Sequence, residues 1–234
     1  MGHKITEAGR LLPTCGTDSH TLTPRFETPA MERRAVKRVV VTGLGIISSV
    51  GNNKEEVTES LRAGRSGITH SDEYQQMGFR SHVCGAIKLD PTKLIDRKIR
   101  RFMGDGAALN YLAMQQAIED ARLTAEDVSN PRTGLIMGSG GPSSEHLHAA
   151  WEALRLKGAR KVIAFAVPQT MSSTNAATLA TPFGIKGVNY AITSACSTSA
   201  HCIGNAAEQI QFGRQDIVFA GGGEGVHWTM TVLF

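Results

Sequence analysis

Short apolar runs and longer helical segments follow one another along this chain. Short runs of Val, Ile, Leu and similar residues are typical of buried strands, and they cover residues 37–42, 134–138, 187–193 and 216–220. Segments with apolar residues at helical spacing, or rich in Ala, Leu and Met, predict helices at residues 102–122, 145–156, 170–179 and 197–212. Strands that alternate with helices predict an α/β fold, with a mostly parallel mixed sheet between helices.

Polar residues mark the ends of further helices. Asn53 is suited to cap a helix that begins after it, has acidic residues in its first turn and ends at Gly64. Thr124 and Asp127 have the spacing of a capping box, which predicts another short helical turn. These signals support the division into alternating elements.

A Gly-x-Gly pair, Gly43 and Gly45, follows the first apolar run and invites a dinucleotide-binding interpretation. The third glycine of that motif would fall at Ser48, and no second strand ending in an acidic residue follows at the expected distance. We therefore interpret the pair as a site where a turn packs closely against the sheet.

Composition excludes several classes of protein. The chain has 234 residues, of which 41 % are hydrophobic, enough for one large domain or one half of a duplicated one. No apolar run is long enough for a membrane span, and a net charge of +4 is too mild to indicate nucleic-acid binding. The four cysteines show no metal-ligand spacing and fit a reducing cytoplasm, so no metal is expected.

Residues 1–36 differ from the rest of the chain. They carry prolines at positions 13, 24 and 29 and scattered charges, without apolar periodicity, which predicts a disordered segment. We favour an over-extended reading frame, with Met31 as a plausible start, over a targeting role. The folded domain is expected to cover residues 37–234.

Cys196 is the candidate nucleophile. It lies where the apolar run 187–193 gives way to the helix at 197–212, in the first turn of that helix. Unpaired N–H groups and the helix dipole favour the thiolate there by roughly 0.3–1 kcal/mol, and the Cys196 N–H could serve as an oxyanion donor. The alternative is a small buried cysteine among alanines and serines, which is what most free cysteines are.

The segment 188–210 around Cys196 closely resembles the active-site region of bacterial β-ketoacyl-acyl-carrier-protein synthases, with type I as the nearest match. The resemblance also covers the segments 37–53, 94–98, 134–141 and 215–224. It implies a thiolase-like fold made of two halves, of which this chain contains the N-terminal half.

The resemblance implies a reaction for Cys196. The thiol would accept an acyl chain from the phosphopantetheine of an acyl carrier protein, and decarboxylation of malonyl carrier would yield the carbanion that attacks it, in fatty-acid synthesis. This is covalent catalysis without a metal or redox cofactor. The family is homodimeric, and residues 189–192 are the expected pairing segment.

Further site residues follow from the resemblance. The expected acyl-pocket positions are Gly141, Met171, Met230 and Phe234. The expected docking residues for the acidic carrier protein are Lys98, Arg101, Lys157 and Arg160. Methionines that fill core gaps and charge runs that merely face solvent are the ordinary alternatives.

Histidines are the remaining candidates for proton transfer. Helix geometry turns His201 away from Cys196, so we interpret it as a packed or capping residue rather than a base. His146 and His148 form an H-x-H without a third ligand, which favours a solvated or interface helix over a metal site. His227 has no specific role that the sequence reveals.

The family's two catalytic histidines, its lysine and its second oxyanion amide belong to the C-terminal half. We therefore expect the 234-residue chain alone to be inactive in condensation. The alternative to an enzyme is a non-catalytic half-synthase that acts only as an interaction or dimerisation partner.

Overall fold

The structure is a computed structural model, and it describes residues 36–234. The helices are α1 (Lys54–Arg62), α2 (Asp72–Gln76), α3 (Arg97–Arg100), α4 (Asp105–Asp120), α5 (Ala125–Val128), α6 (Ser144–Lys157), α7 (Ala166–Thr170), α8 (Thr174–Ala180), α9 (Thr198–Gln211) and α10 (Trp228–Thr231). The strands are β1 (Thr69–His70), β2 (Val83–Cys84), β3 (Thr133–Gly138), β4 (Asn189–Tyr190) and β5 (Ile217–Gly222). The expected disorder of residues 1–36 falls, except for Val36, outside the described residues.

Three parallel strands form the main sheet, in the order β4-β3-β5. The central strand β3 is buried along its whole length and pairs with β5 from Thr133 opposite Ile217 to Gly138 opposite Gly222. Strands β1 and β2 form a separate antiparallel pair. The carboxyl ends of β3, β4 and β5 therefore meet at one edge of the sheet, which is where parallel sheets carry their sites.

Helices cover both faces of the sheet. Leu135 and Met137 of β3 pack into a core with residues of α4 and α8, whereas Ile136 faces the other way and packs against Cys202 and Ala206 of α9. Each buried Leu, Ile or Met side chain of these clusters contributes roughly 1.5–3 kcal/mol. The observed layers confirm the predicted α/β arrangement of helix, parallel sheet and helix.

The predicted helix ends at Asn53 and Thr124 are confirmed. The side chain of Asn53 accepts a hydrogen bond from the Glu56 N–H at 2.8 Å and so caps α1. Gly64, just past that helix, has a φ of +63°, which favours glycine. Thr124 and Asp127 form both bonds of a capping box at the start of α5.

The glycine pair packs against a helix and not, as expected, against the sheet. A Cβ atom on Gly43 would lie 2.3 Å from the carbonyl oxygen of Ala117, and one on Gly45 would lie 1.7 Å from that of Ala113. Both acceptors belong to α4, so only glycine lets the chain pass this closely over the helix. Within residues 36–234 the pair thus has a packing role that accounts for its spacing.

The buried strand predicted at residues 37–42 is wrong. The segment pairs with no strand among the described residues, and Val40 and Val41 are 60 % and 83 % exposed. Valine favours a strand only where a neighbouring strand takes up its N–H and C=O groups and a core covers its side chain. The apolar pattern shows that the segment favours a strand, but it does not show which strand would pair with it.

Two other boundaries differ from the prediction. The helix expected at 170–179 is two helices, α7 and α8, because the chain turns at residues 171–173. The strand expected at 187–193 is limited to Asn189–Tyr190. Beyond Tyr190 the chain leaves the sheet edge and becomes the loop that carries Cys196.

Among residues 36–234, no helix is both long and apolar enough to cross a membrane.

Candidate active site

Cys196 lies in a single 3-10 turn, Ala195–Ser197, directly before α9. The sequence predicted the first turn of the helix itself, so the structure moves the α-helix start to Thr198. Cys196 is exposed and its thiol is free, which is the access a nucleophile needs and which contradicts the alternative of a buried residue. In the described part of the chain its N–H has no hydrogen-bond acceptor, so it can donate to a substrate oxygen.

The residue before the cysteine has an unusual backbone conformation. Ala195 has a φ of +49°, in the left-handed region that a residue with a Cβ seldom adopts. The Thr198 hydroxyl holds this conformation, because it donates to the Ala195 carbonyl at 2.8 Å and accepts from the Ser194 N–H at 2.9 Å. Strain of this kind collects at functional sites. The sequence offered no signal for it.

Glycines at the ends of β3 and β5 let the Cys196 loop approach the sheet. A Cβ on Gly138 would lie 1.9 Å from the Ile192 carbonyl oxygen, and one on Gly222 would lie 2.6 Å from Ser199 Oγ. The backbone around the nucleophile is therefore packed directly on backbone. The two glycine runs were visible in the sequence. Because the carboxyl ends of parallel strands meet at one edge of the sheet, the sequence could have placed these glycines beside Cys196.

Two further polar residues that the sequence analysis missed secure this edge. The fully buried Asn175 of α8 donates to the Gly138 carbonyl at 2.5 Å and to the Gly223 carbonyl at 3.3 Å. Glu224 accepts hydrogen bonds from Ser139 Oγ, at 2.9 Å, and from the backbone beside it. These side chains fix the backbone on which the Cys196 loop rests.

His201 lies on the exposed side of α9 and contacts the loop rather than the sheet. Its Nδ1 is 2.7 Å from the Ser194 hydroxyl, two residues before Cys196. The ring therefore ties the first turns of α9 to the start of the loop. Its assignment as a packed or capping residue stays a prediction that this contact favours.

The expected acyl-pocket residues are only partly brought together. Gly141 faces the terminal methyl of Met230 at 3.7 Å, measured from an ideal Cβ. Met230 also lines a cavity of about 40 Å³ at the end of the sheet, together with Ser139. Met171 is half-buried just past α7, whereas Phe234 is 99 % exposed and packs on no core. The pocket assignment stays a prediction, and Phe234 does not close the pocket in this conformation.

Two of the four docking candidates line an open cleft of about 780 Å³. The residues that line it include Lys98 and Arg101 together with the apolar Ile163 and Phe165. The Arg101 guanidinium packs on both the Phe102 and Phe165 rings, 4.8 Å and 5.0 Å from their centroids. The cleft therefore combines positive charge with an apolar wall.

The other two docking candidates lie just before this wall in the chain. Lys157 is the last residue of α6 and Arg160 lies in the 3-10 turn Ala159–Lys161; both are exposed. Neither lines the cleft itself. Their link to the cleft is that they precede Ile163 by a few residues in the sequence.

A carboxyl pair joins the starts of α4 and α6. A hydrogen bond that protonated Glu145 donates to Asp105, together with burial and the Asp105 charge, raises the pKa of Glu145 to about 7. Burial opposes ionisation of Asp105, but Glu145, His146 and Arg100, whose guanidinium is 2.5 Å away, lower its pKa overall. The shared proton therefore resides on Glu145.

The histidines near this pair are occupied by other contacts. His146 Nδ1 is 2.9 Å from Ser143 Oγ, and the His148 ring packs at 4.9 Å against Trp228. Burial lowers the pKa of both His146 and His227. Within residues 36–234 no three His, Cys, Asp or Glu side chains are grouped to hold a metal ion.

A thiol at the carboxyl edge of a parallel sheet, in the turn before a helix and on a glycine-lined base, is placed to act as a nucleophile. Residues 36–233 match the family model described as "Beta-ketoacyl synthase, N-terminal domain", so the chain belongs to the β-ketoacyl synthase family.

The relatives make the likeness more specific. The chain is 57 % identical over 201 residues to 3-oxoacyl-(acyl-carrier-protein) synthase 1 of Escherichia coli (strain K12), over 85 % of this chain and 50 % of that protein. It is 54 % identical over 200 residues to the protein of the same name from Haemophilus influenzae, over 85 % of this chain and 49 % of that protein. The chain thus spans about half the length of the curated relatives it matches.

Solved structures show the same fold. A β-ketoacyl synthase from Burkholderia phymatum superposes with a TM-score of 0.76 at 27 % identity, over 85 % of this chain and 49 % of that one. The thiolase-like α/β fold class predicted from the sequence is confirmed.

Proposed function

We propose that this protein is a β-ketoacyl-acyl-carrier-protein synthase of fatty-acid synthesis, in which Cys196 is the acyl acceptor. The observation that carries the proposal is the exposed thiol in the 3-10 turn before α9, within the residues that match the family.

The first half-reaction follows from this geometry. The Cys196 thiolate attacks the carbonyl carbon of an acyl thioester on carrier phosphopantetheine, and the Cys196 N–H donates to the oxygen as it gains charge. The carbon–sulfur bond to the phosphopantetheine then breaks. The acyl group stays on Cys196, and the released thiolate takes up a proton from solvent.

The second half-reaction joins two carbons to the bound acyl group. Decarboxylation of malonyl carrier releases carbon dioxide and leaves a carbanion, which attacks the carbonyl carbon of the Cys196 thioester. The carbon–sulfur bond then breaks and Cys196 leaves as the thiolate. In this proposal the groups that hold the malonyl unit are supplied outside residues 36–234. No metal or redox cofactor takes part in either step.

The cleft beside Lys98 and Arg101 is the proposed docking site for the acyl carrier protein. Its positive charge complements an acidic partner, and Ile163 and Phe165 offer an apolar contact. Lys157 and Arg160 are the other proposed docking residues. Such charges act mainly on the rate of encounter, so binding through them should weaken with salt.

Two further assignments accompany the function. The strand β4 lies at one edge of the sheet with Asn189 and Tyr190 exposed, which supports homodimerisation through residues 189–192. The cysteines Cys84, Cys196 and Cys202 are free, which supports a reducing, cytoplasmic location.

The test is acyl transfer to the chain itself. Purified protein is incubated with an acyl-carrier thioester, and the mass of the peptide that contains Cys196 is measured. We expect an acyl adduct that is absent from Cys196→Ala and retained in the matched control Cys84→Ala. Wild-type protein that binds the carrier but takes no acyl group would favour the non-catalytic interaction partner instead.

A further inference from the structure

Glu224 makes more hydrogen bonds than an exposed glutamate usually does. It follows the glycines 221–223 at the end of β5. Its Oε2 accepts from Ser139 Oγ at 2.9 Å, and its Oε1 accepts from the Gly140 N–H. Both carboxylate oxygens are therefore used on one short bend, the bend that follows β3.

The glycines before Glu224 place its carboxylate over this bend. The Gly223 N–H donates to the Gly138 carbonyl at 3.2 Å, so the chain after β5 crosses the end of β3. A Cβ on Gly222 would lie 3.0 Å from that same carbonyl oxygen. The crossing leaves no room for larger residues, and it sets where the Glu224 backbone lies.

The bend that Glu224 holds lies directly against the residue before the nucleophile. An ideal Cβ on Gly140 would be 2.9 Å from the Ala195 carbonyl oxygen and 3.1 Å from Glu224 Oε1. Gly140 thus lies between the carboxylate and Ala195. Because Gly140 and Gly141 have no side chains to anchor their backbone, the Glu224 carboxylate and the Ser139 hydroxyl that it contacts hold this bend.

The left-handed backbone of Ala195 sets the direction of the next N–H, which is that of Cys196. Acyl transfer depends on that direction, because the N–H must meet the oxygen of the thioester carbonyl as it gains charge. A small shift of the bend therefore reaches the oxyanion donor through a single carbonyl contact.

We infer that Glu224 is a positioning residue for Cys196: its carboxylate fixes the Gly140 bend, which supports Ala195 and thereby aims the Cys196 N–H. This inference rests on the proposed acyl transfer for its catalytic meaning. Glu224 touches neither the thiol nor the substrate carbonyl in this account, and its role is geometric rather than electrostatic.

Substitutions separate geometry from charge. In Glu224→Gln the amide oxygen can accept from the Gly140 N–H, and the amide nitrogen can donate to Ser139 Oγ. That hydroxyl then donates to the Gly141 carbonyl, which already lies 2.7 Å away. Glutamine thus keeps both contacts without the charge, whereas Glu224→Ala removes both.

The experiment compares wild type, Glu224→Ala, Glu224→Gln and the control Glu119→Ala, which changes an exposed glutamate on α4. Three quantities are measured: hydrogen exchange in a peptide covering residues 194–198, acylation of Cys196 by an acyl-carrier thioester, and its alkylation by iodoacetamide. Alkylation depends on access to the thiol but, unlike acylation, does not need a thioester carbonyl aligned with the Cys196 N–H. A peptide from α5 serves as the reference for overall loosening.

For Glu224→Ala we expect faster exchange in residues 194–198 but not in α5. Acylation should fall about tenfold or more relative to alkylation, the effect of a small misplacement of a catalytic group. Glu224→Gln and Glu119→Ala should behave like wild type.

Unchanged exchange in Glu224→Ala would overturn the inference. So would faster exchange with an unchanged ratio of acylation to alkylation, because the role would then be structural only. Failure of Glu224→Gln to restore acylation would assign the effect to charge and also contradict the inference. If wild type takes no acyl group, the proposed function fails, while the exchange data still decide whether Glu224 holds the Cys196 turn.

Discussion

Around Cys196 the backbone itself makes the close contacts, whereas around Lys98 charged side chains stand beside an open cleft. The first region depends on glycines whose missing Cβ atoms leave room for a neighbouring carbonyl. The second has space of about 780 Å³ and side chains that can reorient. We expect the first to tolerate almost no added atom and the second to tolerate many substitutions at a modest cost in affinity.

The two regions are joined by α6, which begins after the Gly140–Gly141 bend and ends at Lys157. The Asp105–Glu145 pair lies at the start of this helix. We call the surroundings of Cys196 the rigid region, the cleft beside Lys98 the open region, and this start of α6 the junction.

Gly138→Ala should have the largest effect. Its Cβ would lie 1.9 Å from the Ile192 carbonyl oxygen and 2.8 Å from Thr198 Cγ2, so the strand or the Cys196 loop must move. We expect the free energy of unfolding to fall by about 3 kcal/mol, measured by urea denaturation, together with loss of Cys196 acylation.

The matched control is Gly204→Ala in α9, where a Cβ meets nothing within 4 Å. Alanine there should raise the free energy of unfolding by about 0.5–1 kcal/mol, because glycine is costly inside a helix. A Gly138→Ala protein as stable as wild type would show that the rigid region is less closely fixed than its contacts indicate.

Charge reversal in the cleft should leave the fold intact and weaken carrier binding. We expect Lys98→Glu to lower affinity for an acidic carrier protein by about tenfold at low salt, with the difference shrinking as salt screens the charges. Arg101→Glu should cost more, because it also removes the contacts with Phe102 and Phe165.

Titration of carrier binding at two salt concentrations measures this effect, with the exposed Lys186→Glu as control. If Lys98→Glu and wild type bind the carrier with equal affinity at low salt, Lys98 is an ordinary solvent-facing residue and not a docking residue.

The junction predicts a small pH dependence. Because the pKa of Glu145 is about 7 in the fold and its ordinary value is 4.5, the folded chain holds a proton that the unfolded chain has released between these values. Glu145 therefore lowers stability as pH rises from about 5 to 7. His146 and His227, whose pKa values are lowered, act in the opposite direction, because the unfolded chain takes up their protons first as pH falls.

Glu145→Gln isolates the glutamate from the histidines, since glutamine donates to Asp105 as the protonated carboxyl does. We expect the melting temperature of wild type, relative to Glu145→Gln, to decline between pH 5 and pH 8. Parallel pH profiles for the two proteins would show that the carboxyl pair does not share its proton.

The sequence predicted the elements that local chemistry determines. The apolar run of β3, the cap at Asn53 and the position of Cys196 before a helix all follow from neighbouring residues, and the structure has them. Glu224 and the left-handed Ala195 could not be found this way, because their roles depend on contacts made across the sheet edge.

The segment 37–42 also shows that local sequence does not determine contacts between distant segments. Its valines favour a strand, but a strand needs a second segment to pair with. The described residues contain no such partner for this segment. A pattern along one stretch of chain therefore predicts what that stretch would do if its complement were present.

The uncovered valines at positions 40 and 41 also bear on how long the protein survives. Exposed chain outside helices and strands is the form that proteases cleave and chaperones bind, and an unpaired apolar segment favours association with other chains. Any molecule that covers it will slow degradation and raise the apparent melting temperature by mass action. The rate of degradation and the melting temperature should therefore vary with protein concentration and with the presence of a partner that binds this segment.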